Sequence, residues 1–550
     1  MRKRKACLLM SLSLLAILLL MGFNLLKYYM ENRIPVPYIT KVMGIPVVES
    51  LDLLQGKQEL VPDANPGVCF EGTMLPYDKG SNTLYLSQDF QTPDWVGKLS
   101  VTGREVFLCT LQDEAWQNKA DAIRDSHVFT IWVVEEQSYY TMSMVISGMP
   151  VMAFDTERFE EQDRGTYEED PDKYYFDSET LYYGSLQLFN PSVGVDTYEI
   201  VETAVRYHFR GASSAKLEKE GYALCLQDSK GENLDLSLLG MRSDNSWKLN
   251  AMSKDPNRIR DKTASQLWEQ FALVNTEVNE SGPRMEYLEL VVDNEYKGLY
   301  VLMEPVDKKK LQLDKNDVLY KVGNWIVPED GDIQYAIDHS WRIMSFIRIR
   351  HPDSIDNYEQ TWYPMRDYLN TFYRSNEYIH GVENKIYLTN ALDVLMFNMA
   401  ISGSDNYYKN LYFAADVNAD GSYTMRQIPW DLDLTFGYRA SEKGVNGASF
   451  RSDATVVYEE AAISYLRENA PDTVEPILQE RWRAYRESFL STRYIKTLMR
   501  DNVEYLAGTG VLARENARWP AFPMSLDIEY LLKYQEERMV WLDEYFVGEG

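Results

Sequence analysis

Residues 401–437 read ISGSDNYYKNLYFAADVNADGSYTMRQIPWDLDLTFG and carry most of the fold prediction. An apolar helical pattern ends before Asp405, and Asn410 then opens a strand pattern that returns through the turn NADG. The returning strand ends just before Asp431 and Asp433. Because paired strands lie about 5 Å apart, we expect Asn410 to face the region of Asp431. The pattern therefore predicts three carboxylates and one amide where a helix, a hairpin and a loop meet.

Carboxylate and amide oxygens in this order are typical of a metal–phosphate site. Such hard ligands suit Mg²⁺ or Mn²⁺ that carries phosphate oxygens. In protein kinases a catalytic Asp and a metal-binding Asn have the same spacing as Asp405 and Asn410, and a hairpin then leads to a further metal-binding Asp. Each pair alone is a weak signal, since Asp and Asn are common in turns. The hairpin between the two pairs favours the metal–phosphate interpretation.

The turn of the hairpin offers a different interpretation. Asp416, Asn418 and Asp420 match the opening of an EF-hand calcium loop, but Gln427 stands where that loop needs a bidentate Glu. The flanking segments also read as strands, which an EF-hand does not have. The sequence therefore predicts a plain hairpin turn.

The segments around this stretch change from strands to helices along the chain. Strand patterns within 185–310 surround one helical pattern, which starts with Asp255 and Pro256 as N-cap and first-turn residues. From 355 onward the pattern is helical, apart from the hairpin. We predict an α+β fold, in which an antiparallel sheet with one packed helix precedes a helical part.

Changes of pattern divide the chain into five segments. They are a cytoplasmic tip, transmembrane anchor and linker (1–35), a small β-rich accessory domain (36–130), a lobe of sheet and helix (131–310), a catalytic core with the metal site (311–454) and a C-terminal helical part (455–550). Several segments are expected, because 550 residues exceed what one small core organises. Cys69 and Cys109 both lie in the accessory domain and could form a disulfide.

The N-terminus predicts the location of the chain. The cationic MRKRK precedes the uncharged run ACLLMSLSLLAILLLMGFNLL, and about 20 such residues span a bilayer as a helix. Cations before the run stay in the cytoplasm, so a single-pass anchor in the cell membrane places the C-terminal bulk outside the cytoplasm. A cleaved signal peptide is the alternative, although its apolar core is usually shorter and no clear A-x-A site follows.

The charge balance excludes one class of partner. The formal net charge is −28 at pH 7, and no basic patch is large enough to offset it. Such a chain repels phosphate backbones, so we predict that it binds no nucleic acid. A basic protein and a metal-chelated nucleotide are both compatible with this charge.

Six blocks of the sequence resemble, in order, the CotH spore-coat kinase family. They are RGASSAKLEKEGYAL, WKLNAMSKDPNRIRDKTASQLW, YKGLYVLMEPVDKKKL, SDNYYKNLYF, IPWDLDLTFG and RMVWLDEYF, within roughly 140–548. The resemblance implies an atypical, compact kinase-like core of two lobes that transfers the ATP γ-phosphate to serine side chains of coat proteins. It also implies that Asp405 is the catalytic residue, that Asn410 and Asp431 are metal ligands, and that Asp433 supports them or binds a second metal.

The phosphate-binding side of the predicted site is less regular. The sequence contains no G-x-G-x-x-G loop and no V-A-I-K strand. The turn RGASS (210–214) could face a phosphate through its backbone N–H groups. Lys219, on the following strand, is the predicted phosphate lysine, and Lys321 is its rival.

A cation beside a helix end and an acid at a strand end complete the predicted nucleotide site. Arg258 or Arg260, near the start of the long helix, could place a cation beside its positive end. Glu304 ends a strand before the helical part, where a kinase hinge would lie. ATP with Mg²⁺ or Mn²⁺ is therefore the predicted cofactor pair.

Two functions of different classes are compatible with these features. The first is a membrane-anchored, outward-facing kinase that phosphorylates Ser or Thr of a protein, with basic or Ser-rich proteins as candidate acceptors. The second is a surface-displayed pseudokinase or adhesin that keeps the fold to bind a partner protein. An adhesin has no reason to retain Asp405, Asn410, Asp431 and Asp433 together, so the sequence favours the enzyme.

Overall fold

The computed structural model describes residues 47–48, 51–88, 99–101, 105–109, 119–163, 178–191, 198–211, 217–278, 282–343, 346–375, 381–440, 449–451 and 453–548. The chain divides into two compact units. The smaller comprises Met1–Leu75, Trp95–Glu114 and Phe129–Met142, and the larger comprises Pro76–Asp94, Ala115–Val128 and Ser143–Gly550. The predicted domain boundaries stay predictions.

Short strands form most of the described part of the smaller unit. The first ten described strands are β1 (Val47–Val48), β2 (Gln58–Leu60), β3 (Val68–Phe70), β4 (Thr73–Met74), β5 (Tyr77–Asp78), β6 (Thr83–Ser87), β7 (Leu99–Val101), β8 (Glu105–Cys109), β9 (Val128–Val134) and β10 (Ser138–Ser147). Strands β5 and β6, Val128 of β9 and the end of β10 from Ser143 belong to the larger unit. In the smaller unit β8 pairs with β1 and β9, and β3 pairs with β4 and β7. The side chain of Cys109 lies outside the described residues, so its pairing with Cys69 stays a prediction.

A closed barrel of seven strands occupies the first part of the larger unit, in the order β11-β12-β13-β14-β17-β19-β18. The strands from this part of the chain are β11 (Val151–Asp163), β12 (Ser178–Asn190), β13 (Glu199–Arg210), β14 (Gly221–Gln227), β15 (Leu236–Ser237), β16 (Ser243–Asp244), β17 (Ser246–Asn250), β18 (Met285–Val292) and β19 (Glu295–Met303). Parallel pairing of β11 with β18 closes the barrel. Buried side chains such as Leu188, Leu226 and Trp247 fill it, so it is a packed core.

The chain enters its long helix later than the sequence predicted. Helix α1 (Lys119–Arg124) is short, and α2 (Arg260–Val274) starts at Arg260 and not at the predicted Asp255. Asp255 instead accepts the backbone N–H groups of Asn257 at 2.9 Å and of Arg260 at 2.8 Å. The carboxylate therefore closes a turn ahead of the helix, a local bond that Asp often prefers to a helix interior. Leu267 and Phe271 bury the apolar side of α2.

A second sheet and a set of helices complete the larger unit. The remaining strands are β20 (Val318–Val322), β21 (Arg342–Ile343), β22 (Ile347–His351), β23 (Leu411–Val417), β24 (Tyr423–Pro429), β25 (Tyr438–Ala440) and β26 (Ser449–Arg451). The remaining helices are α3 (Asp330–His339), α4 (Tyr358–Leu369), α5 (Leu388–Ile401), α6 (Ala461–Asn469), α7 (Pro471–Arg486), α8 (Thr492–Gly508), α9 (Val511–Arg518) and α10 (Glu529–Val547). The antiparallel sheet has the order β21-β22-β20-β23-β24. Helix α5 is buried from Asn390 to its end, because it is apolar on nearly every side.

The fold prediction was right in its class and wrong in its architecture. The protein is mixed α+β, as predicted. The antiparallel sheet expected in a two-lobed kinase-like core is instead a closed barrel. Alternating apolar residues show which face of a strand is buried, but not which strands meet at the edges. The contact that closes the barrel, Val151 beside Glu289, is distant in sequence and leaves no local signal.

The predicted transmembrane anchor falls on residues 1–35, which lie outside the described residues. Among the helices that the structure describes, none combines the length and the apolar character needed to cross a membrane.

Candidate active site

The loop at 402–410 connects the buried helix α5 to strand β23. Its ends, Ser402 and Asn410, have left-handed backbone angles, with φ of 54° and 57°. Asn adopts this conformation more readily than most residues. The turn brings two side chains together, since Asn410 Nδ2 donates to Asp405 Oδ2 at 3.4 Å. The two polar residues predicted from this loop therefore share one corner of it.

Two buried asparagines hold this loop against the end of the hairpin. Asn398 Nδ2 donates to the backbone oxygen of Asn406 at 2.7 Å, and Asn406 Nδ2 donates to that of Trp430 at 2.7 Å. Both side chains are buried. The sequence analysis missed them, because single asparagines in a helix and a loop have no distinctive spacing. They tie the loop of Asp405 to the residue that precedes Asp431.

The hairpin of β23 and β24 brings Asp431 beside Asn410. Leu411 pairs with Pro429, and the N–H of Trp430 donates to the backbone oxygen of Asn410 at 3.0 Å. Asp431 has a φ of 61°, a conformation that a non-glycine residue keeps only when its surroundings hold it. The strand register thus places the predicted amide next to the start of the segment Asp-Leu-Asp.

Four carboxylates lie within electrostatic range of one another at this point. Burial raises the pKa of the Asp433 carboxyl well above its usual range, and the charges of Asp431, Asp261 and Asp405 raise it further. Lys254 opposes this shift only in part. Like charges crowded in this way favour a bound cation or a shared proton.

The fourth carboxylate, Asp261, lies in the first turn of helix α2. Its Oδ1 accepts the backbone N–H of Leu432 at 2.9 Å, and its Oδ2 accepts Asn250 Nδ2 at 2.6 Å. Burial, followed by the charge of Asp431, raises the pKa of Asp261 to about 7. The sequence analysis missed this residue, because an acid in a first turn usually serves only the helix dipole.

Lys409 supplies a cation in direct contact with the catalytic candidate. Its Nζ donates to Asp405 Oδ2 at 2.7 Å. Burial alone would lower the pKa of the Lys409 ammonium, but Asp405 attracts it, Asp431 and Asp433 add to the attraction, and the net shift is upward. Lys409 is therefore held in its charged form beside the acids.

Three further cations surround the ring of Trp430, the residue before Asp431. Arg210 Cζ lies 5.8 Å, Lys248 Nζ 4.0 Å and Lys321 Nζ 5.6 Å from the ring centroid. They extend from strands β13, β17 and β20. Lys321 was predicted as a phosphate lysine, whereas Lys248 was missed, because a single Lys in a strand pattern is normally a solvated one.

The structure gives Lys219 a different role from the predicted one. This side chain is fully buried, and its Nζ donates to Glu515 Oε1 and to the Leu299 oxygen, both at 2.6 Å. Burial lowers the pKa of Lys219 to about 8 in spite of Glu515. Arg258 bonds the same carboxylate at 3.3 Å. Both cations therefore join the barrel region to helix α9. Residues 212–214 of the predicted phosphate turn lie outside the described residues.

Arg260 and Glu304 also have structural partners. Arg260 forms an ion pair with Asp255, and its Nε donates to the Thr435 oxygen at 3.2 Å. Arg260 therefore holds the segment that follows Asp-Leu-Asp, and its guanidinium group is occupied by these protein partners. Glu304 forms an ion pair with Lys310 and accepts the backbone N–H groups of Arg242 and Arg284. Neither contact supports the predicted nucleotide role.

The donor set fits a hard divalent cation that shares phosphate oxygens. Within the described ranges, no three His, Cys, Asp or Glu side chains could hold a metal ion by themselves. Asn410, Asp431 and Asp433 supply amide and carboxylate oxygens, the ligand class of Mg²⁺ and Mn²⁺. Such a small protein contribution is usual where phosphate oxygens complete the coordination.

A family comparison covers the whole of this site. The family model described as CotH kinase protein matches residues 207–542. This chain belongs to the CotH kinase family. No curated protein was found to match it. Membership of the CotH family indicates a kinase-like phosphotransferase and confirms the resemblance found in the sequence. The matched residues include the acidic side chains and the cations around Trp430.

Proposed function

We propose that this CotH kinase uses ATP with Mg²⁺ or Mn²⁺ to phosphorylate Ser or Thr side chains of a protein. One observation carries the proposal: a loop, a hairpin end and a helix start gather Asp405, Asn410, Asp431, Asp433 and Asp261. Phosphoryl transfer needs such a site, because catalysis consists mainly of orienting a hydroxyl and neutralising charge on phosphates.

Asp405 is the residue that we assign to the acceptor hydroxyl. Its side chain is 15% exposed, so a substrate group can reach it. Both of its described hydrogen bonds, from Lys409 and Asn410, go to Oδ2. Oδ1 is therefore the atom that would accept the proton of the Ser or Thr hydroxyl, while Lys409 keeps the carboxylate in place.

Asn410 and Asp431 would hold the divalent ion, with Asp433 as a further carboxylate. When bound, the ion neutralises charge on the phosphates of the donor. Asn406 fixes the spacing of the two ligand positions, because it bonds the backbone of Trp430 directly before Asp431. Lys321, at 5.6 Å from the ring centroid of Trp430, is the predicted cation that remains available for a donor phosphate.

The acceptor is a protein with basic or Ser-rich character. A net charge of −28 attracts basic partners and repels nucleic acids. The family supports a protein acceptor in general. The extracytoplasmic location expected from the N-terminus stays a prediction.

Phosphate transfer from γ-labelled ATP tests this proposal. The full-length chain is incubated with Mg²⁺ or Mn²⁺ and with a basic or a Ser-rich acceptor protein. Asp405→Asn should lower the transfer rate at least about 100-fold, the usual contribution of a general base. Asp420→Asn is the matched control, since Asp420 lies in the turn of the same hairpin and its described side-chain hydrogen bonds come from Ser422.

Transfer at the wild-type rate by Asp405→Asn would overturn the assignment. Nucleotide binding without any transfer, by wild type as well, would favour the pseudokinase alternative instead.

A further inference from the structure

Three cations beside the candidate active site differ from the other inward-facing cations of the larger unit. Several of those have bonded carboxylates, as in Lys219–Glu515, Arg260–Asp255, Arg514–Glu289 and Arg481–Asp393, and buried Arg538 is bonded to backbone carbonyl oxygens. The described contacts of Arg210, Lys248 and Lys321 are instead aromatic rings and, for Arg210, the sulfur of Met303. In the described part of the chain, none of the three is bonded to a carboxylate.

We propose that Arg210, Lys248 and Lys321 form the subsite that binds the phosphate chain of the nucleoside triphosphate. The identity of the donor rests on the proposed function, whereas anion binding rests on the geometry alone. Each cation comes from a different strand, so the sheets hold the group in place. Arg binds phosphate through a planar fork of donors, and Lys binds it as a point charge.

Burial and mutual repulsion destabilise the charged forms of these three side chains, and a bound phosphate would stabilise them. Burial lowers the pKa of all three side chains, and Arg210 lowers those of both lysines further. The pKa of Lys321 falls to about 7, and that of Lys248 falls well below its usual range. The neighbouring charge of Arg350 adds to the repulsion on both lysines. A polyanion in contact with the group would attract all three cations and so raise their pKa values.

Trp430 joins this subsite to the acidic side chains. The ring is buried, with 2% exposure, and its backbone is bonded on both sides, to Asn406 and to Asn410. The next residue is Asp431, whose charge attracts both Arg210 and Lys321. Phosphates bound by the cations would therefore lie beside a proposed metal ligand, where a metal-chelated triphosphate needs them.

A phosphate chain fits the subsite better than a single small anion. Three cations lie within 5.8 Å of one ring centroid. Their combined charge fits a ligand with several negative charges better than a ligand with a single negative charge. A nucleic acid backbone also carries several charges, but the net charge of −28 opposes its approach. A free polyphosphate and the triphosphate of a nucleotide share this chemistry, and the test separates them.

Binding of inorganic triphosphate, without a divalent metal, tests the subsite separately from catalysis. Calorimetry on the full-length chain should show that Arg210→Met, Lys248→Met and Lys321→Met each weaken triphosphate binding about 10-fold, the usual effect of one charge-assisted hydrogen bond. Arg206→Met is the matched control, because Arg206 lies on the same strand as Arg210 and contacts Cys225. Its affinity should stay within about 2-fold of wild type, as for an unrelated surface change.

Equal triphosphate affinity in wild type and in all three variants would overturn the subsite. Without ligand, Lys248→Met should have a melting temperature no lower than that of wild type, because the substitution removes repulsion between like charges. Weaker triphosphate binding by this variant would then not be caused by unfolding. If it does unfold, Lys248→Arg keeps the charge, should fold, and should still bind triphosphate. Tighter binding of ATP than of inorganic triphosphate would identify a nucleotide as the ligand, and the reverse order would identify a free polyphosphate.

Asp405→Asn separates failure of this subsite from failure of the proposed function. This variant should lose phosphate transfer and keep triphosphate binding. If it keeps transfer, the proposed function fails and the subsite stands. If the three cation variants bind triphosphate normally while transfer depends on Asp405, the subsite fails and the function stands.

Discussion

Asp261 accepts a hydrogen bond from the backbone N–H of Leu432 at 2.9 Å, so the first turn of helix α2 holds the peptide between Asp431 and Asp433. The other oxygen of Asp261 accepts Asn250 Nδ2, at the end of barrel strand β17. One side chain thus joins the barrel, the long helix and the segment Asp-Leu-Asp. This makes Asp261 a positioning residue for the proposed metal ligands.

Replacing Asp261 by an apolar residue should disturb both catalysis and stability. Asp261→Leu leaves Leu432 N–H and Asn250 without their acceptor, which should lower the free energy of unfolding by about 1–3 kcal/mol. Displaced ligands should also lower kcat about 10- to 100-fold. Asp261→Asn keeps an acceptor oxygen for the Leu432 N–H, so its free energy of unfolding and its kcat should both fall much less. Urea unfolding and steady-state kinetics measure the two effects, and an unchanged kcat in Asp261→Leu would rule out the positioning role.

Lys409 offsets part of the acidic charge, so its removal should strengthen metal binding. Lys409→Met removes the cation that bonds Asp405 at 2.7 Å and is attracted by Asp431 and Asp433. The loss of about 1 kcal/mol of repulsion toward Mn²⁺ should raise the affinity for this ion about 5-fold. Electron paramagnetic resonance of free Mn²⁺ measures the affinity without any assay of activity. Weaker Mn²⁺ binding by this variant would mean that Lys409 does not face the metal position.

The revised role of Lys219 predicts a change in stability and none in catalysis. Lys219→Met removes one of two cations on Glu515 and should cost about 1–3 kcal/mol. Its kcat and its KM for ATP should remain within about 2-fold of wild type, as for a residue remote from the reacting atoms. A large rise in the KM for ATP would restore the original prediction of a phosphate lysine.

The pH dependence of the same variant follows from its pKa. Lys219 has a pKa of about 8 in the folded chain, below the value of about 10.4 in an unfolded chain. Between these two pH values Lys219 binds more protons in the unfolded state than in the folded state, so the stability of wild type rises with pH. The reason is that the folded chain no longer buries a charged ammonium once Lys219 is neutral. Relative to Lys219→Met, wild type should gain about 2 kcal/mol between pH 7 and pH 9.5. A constant difference in urea unfolding at the two pH values would contradict this account.

Arg538 of helix α10 should stabilise the segment that leads into the active-site loop. This buried side chain donates to the carbonyl oxygen of Met399, near the end of α5, at 2.7 Å, and to those of Ala454 and Val456 at 2.6 Å each. Arg538→Met leaves three carbonyls without this donor and should cost about 3 kcal/mol of unfolding free energy. Lys533→Met, exposed on the same helix, is the control and should change stability by less than about 0.5 kcal/mol.

The hairpin and the position of Asn410 could be predicted from the sequence, because they depend on local features. The turn NADG and the alternating flanks define the pairing of β23 with β24, and that register alone brings Asn410 close to Asp431. The helical segments after 455 were also predictable, since amphipathic periodicity is local.

The remainder depends on contacts between distant residues. Glu515, the partner of Lys219, lies in helix α9 near the other end of the chain, and nothing near Lys219 indicates it. Lys248 and Asp261 were missed for the same reason, because each acquires its role only when the barrel and helix α2 meet the hairpin end. Strand patterns also could not show that the sheet closes into a barrel.

Anomalous diffraction from Mn²⁺, in crystals grown with a non-hydrolysable ATP analogue, tests the central claim most directly. We predict an anomalous peak about 2.1 Å from oxygens of Asn410 and Asp431. The phosphates of the analogue should contact Lys248 and Arg210. A peak at another place on the protein, with Asn410 and Asp431 directed away from the nucleotide, would contradict the account.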